Sequence, residues 1–270
     1  MLAQYVSNNS DLSVTAITGN GSKANVEDLD AGDVQLGFCQ SDVMSYAYDG
    51  TNLFEGKPVT TFSTLGALYQ EQVQIVTCDP SITSVADLAG KNVSIGAAGS
   101  GVYFNAIDIL GAYGLSESDI NPTYQSFGDS ADALKDGKID AAFRVAGAPT
   151  TAIVDYATTN TLNLVSLSDD ELAAIQEAYP FLIRDDLAAG TYTGQDADVT
   201  CVAIQATLVA SEELSEDVVY EFVKAMFDNK DALTEGHAKF GFLDPEAASA
   251  GATVTMHPGA EKYYKEIGVL

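Results

Sequence analysis

Two stretches of this chain, residues 2–42 and 110–147, are variants of one another, and this internal repeat constrains the fold more than any single motif does. Its first part recurs at a spacing of 108 positions and its second part at a spacing of 105. Four residues of the second part have clear counterparts: Leu29, Gly32, Val34 and Phe38 correspond to Leu134, Gly137, Ile139 and Phe143. A unit that occurs twice at about half a domain's spacing predicts two similar lobes instead of one long core.

The second copy is preceded by elements that have no counterpart in the first. Residues 91–95 are typical of a short buried strand, residues 96–101 of a glycine-rich turn, and residues 102–113 of a helix closed by Gly114. Shifted back by the repeat spacing, this strand and turn would fall before Met1. We therefore expect lobe one to lack its opening strand and glycine turn in this chain.

The composition is that of a folded and strongly acidic protein. Of 270 residues, 46% are hydrophobic and 19% are charged, which is typical of a globular chain with a sizeable core. The 39 acidic and 12 basic residues give a formal net charge of -27, which repels phosphate backbones and anionic lipid headgroups. This charge argues against nucleic-acid and membrane-surface partners. Because the acidic residues are scattered, they predict a solvated surface, with a saline habitat as the alternative explanation.

The cysteines and histidines offer little support for catalysis. Cys39, Cys78 and Cys201 lie in apolar strand-like runs without Cys-x-x-Cys spacing, which argues against a metal site. We expect small buried side chains, with a disulfide between Cys78 and Cys201 as the alternative. His237 and His257 fall in the C-terminal part of the chain, away from the candidate ligand loops described below. We expect structural roles for both histidines, and the sequence calls for no catalytic residue, no metal and no cofactor.

Strand-like runs alternate with helical ones, which favours a parallel or mixed sheet flanked by helices. Ser168 followed by Glu171 predicts a capping box, and Pro258 and Gly268 mark the ends of the last helix. The strand-like runs are residues 14–18, 34–39, 73–78, 92–96, 139–145 and 200–210.

Two long extended runs, residues 71–78 and 200–210, bracket the second copy of the repeat. They are the natural places for the chain to cross from lobe one to lobe two and back. Lobe one is then discontinuous, comprising residues 1–76 and 202–270, and lobe two comprises residues 77–201. We expect the paired crossings to serve as a hinge, because a few residues at element ends can absorb domain closure.

In an open α/β sheet, ligands bind beyond the carboxyl ends of the strands, where helix N-termini present free N–H groups. The first such place is the turn Gly99-Ser100-Gly101-Val102, whose glycines allow a ligand to approach the backbone. A plain tight turn is the alternative for this segment. In lobe two, the end of the strand-like run 139–145 is followed by Gly147 and Pro149, in a segment of small residues that leaves backbone groups open to the cleft.

Two further places lie in lobe one. Gln40, Ser41 and Asp42 follow a buried strand and offer amide and hydroxyl groups to a ligand, although capping of the next helix is an equally good role. Tyr69 and Glu71 lie just before the first crossing, where the tyrosine ring would line a pocket and its hydroxyl would hydrogen-bond. Ordinary packing at the hinge is the alternative for Tyr69.

Arg144 is one of only two arginines and interrupts an apolar run near the end of a strand. A guanidinium buried there needs an anionic partner, and a ligand carboxylate would supply one by bidentate contact. An internal carboxylate is the alternative that we favour, and Asp140 on the same face of the strand fits that role.

Taken together in their order along the chain, eight segments resemble the TAXI family, the solute-binding receptors of tripartite ATP-independent periplasmic (TRAP) transporters. The resemblance covers nearly the whole sequence. The segments are GDVQLGFCQSD (32–42), FEGKPV (54–59), LYQEQVQI (68–75), SVADLAGK (84–91), GSG (99–101), ADALKDG (131–137), VAGAP (145–149) and HPGAEKYYKE (257–266).

The resemblance implies a type II periplasmic-binding-protein fold of two lobes, with mixed sheets flanked by helices, that closes on a small organic anion such as an amino acid or dicarboxylate. It also implies a periplasmic or extracytoplasmic location, with or without a lipid anchor, and delivery of the ligand to a TRAP membrane permease. The family's pocket loops correspond here to Gln40 and Ser41, Tyr69 and Glu71, Gly99 to Val102 with Asn105, and Gly147 with Pro149. Members begin with a glycine-rich strand and turn that this chain lacks, and Arg144 stands where an apolar residue is usual.

The leading hypothesis is therefore a monomeric receptor that captures a small carboxylate or amino acid such as glutamate between its lobes, and not an enzyme. One alternative is a transferase-like enzyme on the same two-lobed fold. It is disfavoured because the candidate loops offer mainly glycine, serine, glutamine and tyrosine. The ligand-sensing domain of a regulator is a second alternative, and it is disfavoured because the chain has no basic patch for DNA.

Overall fold

The computed structural model describes all residues, 1–270. The helices are α1 (Leu2–Asn9), α2 (Ser22–Asp30), α3 (Ser41–Asp49), α4 (Gly101–Ala112), α5 (Phe127–Lys135), α6 (Thr151–Ala157), α7 (Asp169–Ala178), α8 (Glu216–Asp228), α9 (Lys230–Gly236), α10 (Pro245–Ala250) and α11 (Pro258–Glu266). The strands are β1 (Leu36–Gln40), β2 (Phe62–Thr77), β3 (Asn92–Ser94), β4 (Asn121–Thr123), β5 (Ala141–Ala146), β6 (Asn163–Leu164), β7 (Ile183–Leu187) and β8 (Val199–Ser211). No helix combines the length and apolar character that crossing a membrane requires.

The chain divides into two compact units. Unit 1 comprises residues 1–69 and 205–270, and unit 2 comprises residues 70–204. Both divisions fall inside long strands, β2 and β8, which run from one unit into the other. The boundaries predicted from the sequence lie in the same two strands but a few residues away from these positions. That these strands act as a hinge stays a prediction.

The sheet pairings combine parallel and antiparallel neighbours, as expected for a mixed α/β fold. In unit 1, β1 pairs antiparallel with the second half of β8. In unit 2, β3 lies between β4 and β5 and is parallel to both, while β5 pairs antiparallel with β2. The short strands β6 and β7 pair antiparallel with β2 and β8.

Each unit has its own hydrophobic core. In unit 1 the strands pack against the apolar face of α8, where Val219, Phe222, Val223 and Met226 are all buried. These residues recur at helical spacing, which places them on one stripe. In unit 2 one cluster covers β3, α4 and α7, and another covers α5, α6 and the adjacent face of β5.

The internal repeat is visible in the secondary structure. Helix α2 and strand β1 of unit 1 begin at residues 22 and 36, and α5 and β5 of unit 2 begin at residues 127 and 141, a spacing of 105 in both cases. The predicted strand at residues 14–18 is wrong, since these residues form no strand. Their counterpart in unit 2, β4, is held by hydrogen bonds from β3, and unit 1 has no strand in the position of β3.

Local sequence signals were accurate at several helix ends. The capping box at Ser168 and Glu171 starts α7, and Pro258 occupies the first turn of α11 with Gly268 just beyond its end.

The expectation for the cysteines is partly wrong. All three are free thiols, and Cys78 is exposed because β2 ends at Thr77, one residue earlier. The alternative disulfide between Cys78 and Cys201 does not form.

Candidate functional site

The predicted glycine turn of unit 2 connects β3 to the first turn of α4. Gly96 and Gly99 have φ values of 85° and 77°, a region of backbone space that favours glycine. At Gly96 a Cβ atom would also lie 2.6 Å from Cβ of Val102. These glycines therefore bring the chain sharply from the strand into the helix, and the first amides of α4 have no partner within the helix.

The residues of this turn lie where the sequence placed them, at the N-terminus of a helix. Ser100 is the N-cap of α4, and its hydroxyl accepts a hydrogen bond from the N–H of Tyr103 at 3.4 Å. Ser100 therefore has a structural role in this turn as the cap of α4. Gly101 and Val102 are buried, and Asn105, one turn further along α4, is completely buried. A ligand-binding role for these residues stays a prediction.

Arg144 is buried in β5 without a carboxylate partner. Only 2% of the residue is exposed, and no salt bridge involves it. The guanidinium lies over the ring of Phe127, 4.5 Å from its centroid, and its Nη2 donates a hydrogen bond to the carbonyl of the same residue. Its Nη1 has no hydrogen-bond partner. Burial lowers the pKa of Arg144 to about 10, so the side chain keeps its charge at neutral pH.

The expected ion pair between Arg144 and Asp140 is wrong. The Asp140 carboxylate instead accepts hydrogen bonds from the backbone N–H and the side-chain amide of Asn92, at 2.7 and 3.1 Å. Asp140 precedes β5 and ties its start to β3, whereas Arg144 lies near the other end of the strand. A shared strand face brings residues to one side of a sheet but does not decide which partner each side chain chooses.

A polar network beside Arg144 fixes the loop that contains Gly147 and Pro149. Gln74, opposite Arg144 on β2, donates from its amide to the carbonyl of Ala146 at 3.2 Å and to the hydroxyl of Thr150 at 3.1 Å. The Tyr192 hydroxyl donates to Gln74 Oε1 and accepts from the Thr150 N–H at 2.9 Å. The loop also contains a cis peptide bond before Pro149, which is itself exposed.

Sequence reasoning missed three members of this surrounding shell, namely Phe127, Gln74 and Tyr192. Gln74 carried a weak signal, because a polar residue inside a long apolar strand needs a partner. Phe127 and Tyr192 gave no signal, since their distance from Arg144 depends on how α5 and the 188–198 loop pack.

The unit 1 candidates gather at the end of β1 and the start of α3. Gln40 and Ser41 are both buried, and the Gln40 N–H donates to the hydroxyl of Ser22 at 3.2 Å. The helix begins at Ser41 with Gln40 as its N-cap and without a side-chain cap, so the capping alternative does not hold for Ser41. Asp42 accepts from the next N–H in the chain, that of Val43, at 2.7 Å.

Tyr69 and Glu71 lie inside β2, and the division between the units falls between them. Tyr69 is half-buried and packs against the hydrophobic core of unit 1, as the packing alternative proposed. Its carbonyl accepts a hydrogen bond from the side-chain amide of Gln205 at 3.1 Å. Glu71 is also half-buried.

The histidines and the acidic residues form no further candidate site. His237 and His257 each accept a backbone N–H through Nδ1 at a helix start, which is the structural role expected. No group of three or more histidine, cysteine or carboxylate residues is arranged to hold a metal ion. A groove of about 370 Å³ in unit 2, lined by residues such as Ile82, Leu164 and Val199, contains none of the predicted site residues.

A family model described as NMT1-like matches residues 1–268, nearly the whole chain. The chain belongs to the NMT1-like family. Among solved structures, this NMT1-like chain is similar to a putative L-cystine ABC transporter protein from Listeria monocytogenes, with a TM-score of 0.56 and 15% identity over 90% of this chain and 86% of that one. It is equally similar to an ancestral arginine-binding protein bound to arginine, with a TM-score of 0.55 and 14% identity over the same shares.

The alkanesulfonate-binding protein SsuA from Xanthomonas axonopodis pv. citri, bound to MOPS, matches with a TM-score of 0.52 and 15% identity, over 98% of this chain and 76% of that one. The chain spans 57% of the length of the aliphatic sulphonate-binding protein SsuA from Escherichia coli. At these identities the similarity shows the fold. The NMT1-like chain has the mixed α/β fold of type II periplasmic solute-binding proteins, as expected.

Proposed function

We propose that this chain is an extracytoplasmic solute-binding receptor that captures a small organic anion, a carboxylate or an amino acid such as glutamate, and delivers it to a membrane permease. The fold supports this role, because its structural neighbours are proteins named for the sulfonates and amino acids that they bind. The candidate loops supply hydrogen-bonding groups and one cation but no arrangement for covalent chemistry. The receptor therefore changes neither its ligand nor itself covalently.

Arg144 is the observation that carries the proposal. A charged guanidinium that is 2% exposed and has an unpartnered Nη1 is expensive to bury, unless an anion compensates it. The chain itself supplies no such anion to Arg144. A ligand carboxylate or sulfonate fits this need, because two oxygens in one plane match the geometry of the guanidinium.

The other ligand contacts that we propose are mainly groups at helix starts. Among these contacts, the first backbone amides of α4 have no partner within the helix, which suits an anionic oxygen. The proposed contacts lie in both units. In unit 2 they are Gly99, Ser100, Gly101, Val102, Asn105, Gly147 and Pro149, with Glu71 on β2, and in unit 1 they are Gln40, Ser41 and Tyr69.

For the permease we propose the TRAP type, on the basis of the ordered motifs that resemble the TAXI receptors. The Listeria neighbour is named for an ABC transporter, so an ABC permease is the alternative partner. Because the receptor role is common to both systems, the ligand experiment below does not depend on this choice.

A ligand panel tests the receptor role. Purified protein is screened by thermal unfolding against glutamate, aspartate, other amino acids, dicarboxylates and alkanesulfonates, and hits are measured by calorimetry. At a concentration of 100 times Kd, a true ligand should raise Tm by about 5 °C or more. If no compound of the panel raises the Tm, the receptor role is contradicted for this chain.

Arg144→Met tests the site, with Arg184→Met as its matched control. Arg184 is the other arginine, and it is exposed on β7, where it pairs with Asp169 and Asp186. We expect Arg144→Met to weaken anion binding at least about 100-fold, since a buried charge pair contributes several kcal/mol, while Arg184→Met leaves binding unchanged. If the two variants bind the ligand equally well, Arg144 is not part of the binding site, and the proposed receptor role is unaffected.

A further inference from the structure

Three polar side chains of unit 2, those of Gln74, Arg144 and Tyr192, are each at most 3% exposed. Gln74 on β2 is directly opposite Arg144 on β5 in an antiparallel pair of strands. Side chains of directly opposite residues lie on the same face of a sheet, with their Cβ atoms about 5 Å apart. The side-chain oxygen of Gln74 is therefore within reach of the Arg144 guanidinium. Nevertheless, Nη1 of Arg144 has no hydrogen-bond partner.

The hydrogen bonds of Gln74 have only one possible direction. The Ala146 carbonyl, 3.2 Å away, can only accept, so the amide nitrogen of Gln74 must face it. The backbone N–H of Thr150, 2.9 Å from the Tyr192 hydroxyl oxygen, can only donate. The single proton of the Tyr192 hydroxyl is therefore donated to Gln74 Oε1, which is its other contact.

The loop 188–198 holds Tyr192 in this position. Gln195 lies in the same loop and is buried, and its amide nitrogen donates to three backbone carbonyls around the loop at 3.0 to 3.2 Å. Its Oε1 accepts the backbone N–H of Tyr192 at 3.3 Å. One buried side chain thus bonds the loop backbone at four points. We therefore expect the loop to keep its shape, and Tyr192 its position, whether or not a ligand is bound.

The oxygens around Arg144 are engaged in other hydrogen bonds. The nearest carboxylate in sequence, that of Asp140, accepts hydrogen bonds at the start of β5 instead, and the Phe127 carbonyl accepts from Nη2. A buried donor and a buried acceptor on one sheet face pair when both are free, because leaving either group unpaired costs free energy. The proton of Tyr192 prevents this pairing by occupying the Gln74 oxygen.

We propose that Tyr192 is a positioning residue for the anion site. Its hydroxyl bonds the Gln74 oxygen, which otherwise pairs with Arg144, and so keeps Nη1 of Arg144 available to a ligand oxygen. This inference rests on the proposed receptor function, because that function assigns Arg144 to the ligand. It adds that the loop 188–198, which contains none of the residues predicted from the sequence, determines how strongly the site binds an anion.

Side-chain NMR of arginine tests the inference without a ligand. The chain has only two arginines, so Arg184→Met leaves the guanidinium signals of Arg144 alone. When Tyr192→Phe is added, the Gln74 oxygen loses its donor and pairs with Nη1. The Nη1 protons should then exchange with water at least about tenfold more slowly. Tyr264→Phe is the matched control, since it removes a buried hydroxyl of unit 1 that donates to a backbone carbonyl at 3.0 Å, and it should leave the Arg144 signals unchanged. Unchanged exchange in Tyr192→Phe overturns the inference.

A double-mutant cycle tests the consequence for binding, with L-glutamate as the probe and calorimetry as the measurement. Tyr192→Phe should weaken binding at least about tenfold. Gln74→Met removes the competing oxygen, so the variant that carries both substitutions should bind at least about threefold more tightly than Tyr192→Phe alone. If Tyr192 and Gln74 served only to hold the loop, Gln74→Met would restore nothing, and the absence of this rescue overturns the inference. If the unmodified protein binds no glutamate while the Arg144 signals respond to Tyr192→Phe, the proposed ligand is wrong and the arrangement around Arg144 is confirmed.

Discussion

At the scale of single residues, the buried positive charge of Arg144 lowers the stability of the folded protein. Its guanidinium gains a stacked ring and one backbone carbonyl from Phe127, but it loses water on all sides and leaves Nη1 without a partner. A buried charge that lacks a counter-charge costs more than its neutral contacts return. The presence of an arginine at this position is therefore best explained by a function that requires its positive charge, such as the proposed binding of an anion.

We predict that Arg144→Met stabilises the ligand-free protein by about 1 kcal/mol or more, because an apolar side chain of similar length removes the cost of desolvation. Arg184→Met, which breaks only exposed ion pairs, should change stability by less than about 0.5 kcal/mol. Urea unfolding followed by circular dichroism gives both values. A loss of more than about 1 kcal/mol in Arg144→Met would show that the guanidinium has a structural role instead.

His257 links stability to pH. Its Nδ1 accepts the N–H of Gly259 at 3.1 Å, and its Nε2 lies 3.2 Å from the carbonyl of Leu214. Burial lowers the pKa of His257 below its ordinary value of 6.5, and the Leu214 carbonyl together with the nearby carboxylates of Glu212 and Glu216 offsets this only in part. Protonation would remove the acceptor at Nδ1, so the folded state holds the neutral form.

We predict that His257 stabilises the fold fully above pH 6.5, and that this contribution declines as the pH falls below 6.5 towards the lowered pKa. In that window the unfolded chain binds the proton more readily than the folded chain does, so unfolding is favoured by acid. The slope of unfolding free energy against pH between 6.5 and 5 should be smaller in His257→Asn, which keeps a capping oxygen, than in the unmodified protein. His237→Asn serves as the control and should keep the full slope. Identical slopes for all three proteins would exclude His257 as the source.

At the scale of elements, the turn from β3 into α4 depends on Gly96 for two separate reasons. Its φ of 85° disfavours any side chain, and the space that a Cβ would need is filled by Val102. Gly114, which follows α4, has a φ of 70° but nothing within 4 Å of its Cβ position. Comparing a substitution at Gly96 with one at Gly114 therefore separates the cost of backbone strain from the cost of steric overlap.

We predict that Gly114→Ala costs about 1 kcal/mol from backbone strain alone, and that Gly96→Ala costs about 2 kcal/mol or more because overlap with Val102 adds to that strain. Urea unfolding of both variants measures the difference. Equal losses would mean that the turn relaxes freely and that α4 is not held rigidly against β3.

Elements were predictable where the signal was local. The capping box of α7, the apolar stripe of α8 and the proline start of α11 each depend on residues within one or two helical turns. The prediction of a strand at residues 14–18 was wrong because strand formation depends on more than the local sequence. A strand needs a hydrogen-bonding neighbour, and the β-branched residues of this segment have none in unit 1.

At the scale of the whole molecule, the formal charge of -27 opposes folding through self-repulsion. We predict that raising sodium chloride from 10 to 300 mM increases Tm by several degrees, since the Debye length then falls below about 10 Å. Potassium chloride at matched ionic strength should give the same increase if screening is the cause. A Tm that stays constant or falls with salt would show that repulsion among the acidic residues contributes little.

By itself, the sequence determined the alternation of strands and helices, the internal repeat and the positions of the glycine turns, because each depends on local spacing or on the conformational freedom of one residue. Only the tertiary structure decided that Asp140 binds Asn92 and leaves Arg144 without a carboxylate, and that Phe127, Gln74 and Tyr192 surround Arg144 or its loop. Contacts of this kind join residues far apart in the chain. They depend on how helices and loops pack over the sheet, which local pattern does not encode.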